Sequence, residues 1–335
     1  MENAAGITLD LKKASELKNM PEKYILLSDT NTDFTYYSVK VEDGNVILSA
    51  NYTTIEACIE LLFSELMGFD IKTGKAKKAK AKDYSKAFGD KLIKLAEKNE
   101  KIVAVTAAMK DGTGLKEFSQ KFPKRFFDVG IAEQNLMGIS AGMATTGLIP
   151  YASTFAVFAA GRAYDQVRNS IAYPKLNVKI CATHAGITVG EDGATHQMLE
   201  DINLMRGLPN MIVMSPADDA ESKWAVNEAA RINGPVYIRF GRASTPAIYD
   251  ENTKFEFGKA IMHGDGEDAT VFATGIMVAE ALKAQAALKE EGINIRVVDF
   301  HTIKPIDKEL LIELAKTHHT IYVFLPLLHP VLSNH

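Results

Sequence analysis

Asp128-Val-Gly-Ile-Ala-Glu-Gln-Asn135 reads as the end of a strand, a tight turn and the start of a helix. The helix it opens, Leu136-Met-Gly-Ile-Ser-Ala-Gly-Met143, carries two glycines. Gly138 and Gly142 each cost helix propensity, roughly 1 kcal/mol against alanine. That cost makes sense if another backbone or a flat ligand comes close. Glu133 lies between an apolar strand tip and a small-residue helix. A carboxylate there is partly desolvated and suited to sharing a proton with a ligand. The plainer reading of the same spacing is a capping carboxylate at a helix start.

Outward from this stretch, apolar strands alternate with helical segments. Tyr84 to Asn99 reads as a helix, Ile102 to Thr106 as a buried strand, Phe126 to Val129 as a strand and Glu133 to Thr146 as a helix. Strands follow at Ile149 to Ser153, Val178 to Thr183, Met211 to Ser215 and Val236 to Phe240, with helices at Ala159 to Ala172 and Ala220 to Ile232. This alternation predicts an α/β fold, a parallel doubly wound sheet covered on both faces. A second α/β unit is expected from a strand at Ala269 to Gly275, a helix at Ile276 to Glu291, a strand at Ile295 to Asp299, a loop at His301 to Asp307, a helix at Asp307 to Ala315 and a strand at Thr320 to Phe324.

Upstream, Lys72 to Lys82 is lysine-rich without periodicity and reads as a solvated linker. Before it, two period-two segments, Tyr36 to Val41 and Val46 to Tyr52, flank Glu42-Asp-Gly-Asn45 and predict a hairpin. Thr54 to Met67 has helical amphipathicity. The expected organisation is a small α+β segment over 1–70, a linker over 71–82, an α/β domain over 83–247 and a shorter α/β domain over 255–335.

The chain has 335 residues, a net charge of −4 and two cysteines, Cys58 and Cys181, far apart. That balance makes no case for nucleic acid, and the lysine run has no interleaved aromatics. The cysteine usage fits a reducing cytoplasm, and neither thiol has neighbours at zinc spacing. No basic-then-apolar leader opens the sequence, and no apolar run approaches the roughly 20 residues of a membrane span.

Phe126-Phe-Asp-Val-Gly-Ile-Ala-Glu-Gln134, Ser153-Thr-Phe155, Gly161-Arg-Ala-Tyr-Asp-Gln166 and Thr183-His-Ala-Gly-Ile-Thr-Val-Gly-Glu-Asp-Gly-Ala-Thr-His-Gln197 occur in that order. Together they resemble the pyrimidine-binding domain of thiamine-diphosphate enzymes in the transketolase and 1-deoxy-D-xylulose-5-phosphate synthase superfamily. The resemblance runs from about residue 70 to 322. Residues 68–82 are similar to the interdomain linker of the synthases. The second α/β unit resembles the start of the transketolase C-terminal domain, while residues 325–335 depart from it, so the end is expected to be truncated or aberrant.

The resemblance implies roles for particular residues. Glu133 matches the carboxylate that serves as proton partner for the pyrimidine ring of thiamine diphosphate. Phe155 and Phe158 are similar to the aromatic cluster against that ring, though core packing is what most Phe pairs do. His184, Asp192 and His196 lie in a polar loop after an apolar strand, where open α/β sheets bind ligands. Two histidines and an aspartate could suggest a metal; the resemblance points instead to sugar hydroxyl and phosphate contacts, with His184 and His196 also implied in catalysis. Arg242 resembles a phosphate-binding arginine, whose planar fork suits a phosphate monoester; a surface ion pair is its alternative.

Gly264-Asp-Gly266 is to be read as a turn and not as the family's Mg²⁺ motif, because Asp265 precedes a strand and Glu267-Asp268 follows. No diphosphate-binding domain is legible, and no metal ligand is assigned to this chain. The resemblance therefore implies that Mg²⁺ and the diphosphate end are held by another, diphosphate-binding subunit; the expected assembly is a homodimer and/or a hetero-complex with that subunit. Thr183-His184 and Val189-Gly-Glu-Asp192 are transketolase-like, whereas Thr106-Ala-Ala-Met109 and Asp111-Gly-Thr-Gly-Leu115 are synthase-like. The leading expectation is the C-terminal subunit of a transketolase, moving a two-carbon ketol unit between sugar phosphates. The alternatives are 1-deoxy-D-xylulose-5-phosphate synthase and a catalytically inactive fragment. The β subunit of a 2-oxoacid dehydrogenase has similar length, but Gly190-Glu-Asp-Gly-Ala-Thr-His-Gln197 argues against it.

Overall fold

The structure is a computed structural model and describes residues 23–27, 35–42, 45–50, 83–250, 252–317 and 321–324. The expected helix at 54–67, the lysine-rich linker and the residues from 325 onward lie outside the described residues. A three-stranded antiparallel sheet belongs to one compact unit and the two α/β sheets to another. The small sheet has the order β1 (Lys23–Leu27), β2 (Thr35–Glu42), β3 (Asn45–Ala50). The β2–β3 pair is the hairpin that period-two alternation predicts, in register from Tyr37 opposite Ala50 to Glu42 opposite Asn45.

The first α/β sheet begins after helix α1 (Tyr84–Ala96), which Asp83 caps by accepting from the Ser85 amide at 2.8 Å. Strand β4 (Ile102–Thr106), helix α2 (Lys116–Lys121), strand β5 (Phe126–Asp128), helix α3 (Glu133–Thr145) and strand β6 (Ile149–Phe155) follow. A helical stretch comes next in three pieces, Val157–Arg162, α4 (Tyr164–Gln166) and Val167–Ala172. Then come β7 (Lys179–Ala185), α5 (Asp201–Gly207), β8 (Ile212–Met214), α6 (Asp219–Arg231) and β9 (Val236–Gly241). From β8 to β5 the order is β8-β9-β7-β6-β4-β5, and every pairing is parallel.

Burial explains the near-continuous apolar strands. All of β4, β7 and β9 is buried, as expected where helices cover both faces. On one face α1 lays down Tyr84, Phe88 and Leu92, spaced four apart, beside Phe118 of α2 and Ala225, Val226 and Ala229 of α6. On the other face Leu136 and Met137 of α3 pack with Ala159, Val167, Ile171 and Met205. Lys179 interrupts β7 as a charged residue, yet its Nζ donates to the carbonyls of Ile232 at 2.7 Å and Gly234 at 2.8 Å. Burial lowers its pKa to about 7.

The second sheet comprises β10 (Ile261–His263), β11 (Ala269–Ala273), β12 (Ile295–Asp299) and β14 (Ile321–Phe324), in the order β10-β12-β11-β14. Helices α7 (Met277–Glu290) and α8 (Lys308–Thr317) belong to it in sequence, and Leu314 of α8 packs on Phe272, Val298 and Phe300. Two expectations change here. Residues 301–307 are not all loop: β13 (Thr302–Lys304) joins the first sheet as an antiparallel edge strand beside β8. A three-residue strand has too little pattern to be read, and its partner lies some 90 residues away. The expected regular helix over 159–172 is also wound as π-helix in its first and last pieces. Gly264-Asp-Gly266 lies in the connection between β10 and β11. Among the described residues no helix is long and apolar enough to cross a membrane.

One close approach ties this frame to the loop after β4. A Cβ built on Gly89 of α1 would stand 2.1 Å from the Gly114 carbonyl oxygen. Gly89→Ala should therefore destabilise the chain by about 1–3 kcal/mol, the range for overpacking a well-fitted contact. Urea denaturation checks this; an unchanged midpoint would show that the loop gives way freely.

Candidate active site

Glu133, Phe155, His184 and Arg242 all lie at the carboxyl ends of parallel strands. Chain order reverses around β4, since β5 adds to one side and β6 to the other. Such a reversal opens a crevice where open α/β sheets take ligands. The loop after β4 and the end of β6 meet in it: a Cβ built on Gly112 would lie 3.1 Å from Cε1 of Phe155. The ring therefore rests directly on main chain.

Phe155 anchors a run of flat groups. Its ring stacks on Phe158 at 6.1 Å between centroids with 10° between planes. The His184 imidazole also stacks on it, at 3.8 Å and 18°. His196 approaches both phenyl rings edge-on, at 6.4 Å from Phe155 and 5.5 Å from Phe158. The expected aromatic cluster and the two histidines thus form one shelf, half-buried at Phe155 and buried at Phe158.

His184 reaches the shelf through an irregularity in β7. The pairing of β7 with β9 slips between Ala182 and Ala185, and His184 has φ of 57°. A bulge re-aims a side chain, and a left-handed conformation at a non-glycine residue costs on the order of 1 kcal/mol. Burial, then the Arg242 guanidinium, pushes the His184 pKa down to about 4, with Asp192 and Asp83 pulling the other way. The ring is neutral near pH 7, so one nitrogen can donate and the other accept. Its Nδ1 lies 3.2 Å from the Thr183 hydroxyl.

Asp192 is exposed on the turn Gly190–Asp192. Gly190 of that turn has φ of 68°, and a Cβ there would strike Nη1 of Arg242 at 2.1 Å. The glycine lets the guanidinium lie against the loop main chain. Arg242 thus lies against the loop of Asp192 and is near enough to His184 to disfavour its charged form.

Glu133 is the first residue of α3 and is buried, with 3 % of its surface exposed. It stands in the first turn, where a carboxylate also suits the helix dipole. Its Oε1 accepts from Nη1 of Arg162 at 2.9 Å. The Arg162 guanidinium also lies over the Phe158 ring, 4.4 Å from its centroid. Arg162 therefore joins the carboxylate to the shelf. Sequence reasoning quoted the residue within its motif but gave it no role; a partner for a buried Glu was the missing question. Gly138 and Gly142 are exposed, and among the described residues nothing outside their own helix lies within 4 Å of a Cβ built on either. Among the described residues, none makes the close approach their presence suggests. Among the described residues no three His, Cys, Asp or Glu side chains gather as a metal site.

Comparison with known proteins agrees with this geometry. Residues 80–247 match the family model of the transketolase pyrimidine-binding domain, and residues 258–325 that of the transketolase C-terminal domain. A protein of Methanocaldococcus jannaschii whose name assigns it as a transketolase C-terminal section is 51% identical over 232 residues, 69% of this chain and 73% of that protein. A 6-deoxy-6-sulfo-D-fructose transketolase subunit of a Clostridium species is 43% identical, covering 68% of this chain and 70% of its own length. The 1-deoxy-D-xylulose-5-phosphate synthase of Natranaerobius thermophilus is 42% identical over 76% of this chain, which spans only 41% of that enzyme. Among solved structures, a split-gene transketolase in an inactive β4 tetramer superposes with a TM-score of 0.68 at 50% identity, covering 73% of this chain and 80% of that one.

The site's electrostatics give a direct prediction. The His184 ring should stay neutral from about pH 8 down to about pH 5 and titrate near 4. Arg242→Leu should raise that value, because the lost cation opposes the protonated ring. Histidine NMR signals followed against pH decide it, and a His184 signal titrating at an ordinary value would refute the burial of the ring. On these matches the chain belongs to the transketolase family, carrying its pyrimidine-binding and C-terminal domains in that order.

Proposed function

We propose that this chain is the C-terminal subunit of a transketolase, transferring a two-carbon ketol unit between sugar phosphates when a diphosphate-binding partner docks. The observation that carries the reading is the buried carboxylate of Glu133, set at a helix start and linked through Arg162 to the Phe155–Phe158 shelf. A flat heteroaromatic ring needs an apolar face and a proton partner at its edge, and these residues supply both. The pyrimidine end of thiamine diphosphate fits them: Phe155 and Phe158 would hold its face and Glu133 its ring nitrogen. When bound, that cofactor supplies the nucleophilic carbon that attacks the ketose carbonyl. Mg²⁺ and the diphosphate would be held by the diphosphate-binding partner chain in a hetero-complex; pairing of this chain with its own copy would not by itself complete the site.

The chain's own residues divide the remaining work. Glu133 holds or returns a proton at the ring edge, where its burial excludes competing water. Arg162 neutralises it beforehand and must yield part of that contact to the ring. His184 and His196 line the open side of the shelf, where a neutral imidazole can donate to or accept from a sugar hydroxyl. Asp192 adds an acceptor for a hydroxyl, and Arg242 offers a planar fork to a phosphate. The loop after β4 favours a second reading, 1-deoxy-D-xylulose-5-phosphate synthase. Asp111-Gly-Thr-Gly114 is synthase-like, and its Gly112 supports the Phe155 ring. His184 weighs against that reading, because the synthases carry Arg there.

With the partner chain present, xylulose 5-phosphate should act as donor toward ribose 5-phosphate, and pyruvate should not. Release of CO₂ from pyruvate would favour the synthase instead. In the same complex Glu133→Gln should lower turnover by roughly 10²–10⁴-fold, the usual worth of a proton-transfer partner, with a much smaller loss of cofactor affinity. Near-unchanged turnover would remove Glu133 from its role. Arg242→Ala should weaken phosphorylated substrates by about 1.5–3 kcal/mol, the cost of a lost charged hydrogen bond.

A further inference from the structure

A buried acidic cluster lies where the two sheets meet. Asp218 caps α6, accepting from the Glu221 amide at 3.0 Å with one oxygen. Its other oxygen accepts from the amides of Ile248 and Tyr249, each at 2.8 Å. Three backbone donors thus satisfy it. Glu221, within α6, has no solvent exposure, and its Oε2 accepts from the Ala217 amide at 2.6 Å. From the second sheet comes Asp299, the last residue of β12, also with no exposure. Its Oδ2 accepts from the Tyr249 hydroxyl at 2.6 Å, and that hydroxyl lies 2.9 Å from Nε2 of His263 on β10.

Two oxygens remain. Glu221 Oε1 and Asp299 Oδ1 are buried and meet no donor. The two carboxyl groups stand within hydrogen-bonding reach of each other. Facing acceptors repel when both groups are ionised, and one proton placed between them satisfies both. The titratable groups facing the pair are Asp218 on α6, Tyr249 after β9, Tyr84 on α1 and, through Tyr249, half-buried His263 on β10. His263 gives the buried pair a hydrogen-bonded route toward solvent.

We propose that Glu221 and Asp299 form a proton-sharing clasp between α6 and β12, which makes the docking of the second sheet on the first depend on pH. Beside the clasp, the Ser215 amide donates to the His301 carbonyl at 2.8 Å and β13 pairs with β8. Loss of the proton leaves two buried charges of one sign, and separating β12 from α6 relieves them. Burial pushes the Glu221 carboxyl well above its ordinary range and Asp299 up to about 7; the proton belongs to the pair as a unit. In the unfolded chain both ionise near 4. The folded state therefore holds protons that the unfolded chain has lost, and stability falls as pH rises from about 4 until the pair's last proton leaves.

The test compares the full chain with Glu221→Gln, whose amide can donate to Asp299 at any pH. Between about pH 5.5 and about pH 8.5 the melting temperature of the unaltered chain should fall by several degrees, and the variant's profile should be flatter. Amide exchange at Thr302, Ile303 and Lys304, corrected for its intrinsic pH dependence, should speed up in the unaltered chain alone. Parallel profiles would overturn the clasp. If Glu221→Gln does not fold, Asp299→Asn replaces it. The infrared spectrum of the unaltered chain decides independently. A carboxylic-acid C=O band should be present near pH 6 and weaken as pH rises, and absence of that band at the lower pH would also overturn the proposal.

Discussion

The Phe155 ring is held by main chain at Gly112 and by the His184 imidazole 3.8 Å away. Most of the site depends on those two contacts. Gly112 can lie there because its loop is pinned to α1 through the contact of Gly89 with Gly114. His184 can lie there because β7 slips its register against β9 and turns one residue left-handed. Neither arrangement suits an isolated strand or loop. Each is tolerable because the sheet around it is buried and paired on both sides, which spreads the local cost over a rigid frame.

The electrostatic logic follows from the same placement. A buried carboxylate needs a cation, several donors or a proton. Glu133 takes the first course, with Arg162, and this leaves it a charge that a ligand at the shelf can engage. Asp218 takes the second, with three amides. Glu221 and Asp299 face each other and are left with the third. The cation in the first case is itself spread over an aromatic ring, so Arg162 couples charge to the apolar shelf. At His184 the field runs the other way: burial and the Arg242 guanidinium both disfavour the imidazolium. A neutral ring stacked on Phe155 and a charged fork beyond it are a combination that can separate hydroxyl recognition from phosphate recognition.

Much of this was legible in the residues. Buried parallel strands announce themselves as apolar runs, and β4, β9 and β12 stand within a residue of where composition puts them. The hairpin of β2 and β3 follows from alternation around an Asp-Gly pair. Glu133, Phe155, Phe158, His184 and His196 were found through motif resemblance, and packing brings them together at one sheet end. What stayed hidden depends on distant partners. Thr302–Lys304 looks like a loop because three residues before a proline carry no period, and only β8 makes them a strand. The bulge at His184 is invisible because register belongs to a pair of strands and not to one. Arg162 sat in a quoted motif without a role, since its value appears only once Glu133 is known to be buried.

The edge strand β13 gives the last link. Because it leaves β12 and immediately joins the first sheet, the second sheet cannot move without drawing on β8. The connection is short, from Asp299 at the end of β12 to Thr302, and it passes through Phe300 and His301, both buried. Trp224 of α6 packs edge-on against His301 at 4.7 Å. The crossing is thus fixed by an aromatic contact, by backbone hydrogen bonds at Ser215 and by the acid pair. Of these only the acid pair changes its charge in the physiological range. Apolar and backbone contacts set where the second sheet sits, and the shared proton sets how firmly it is held there.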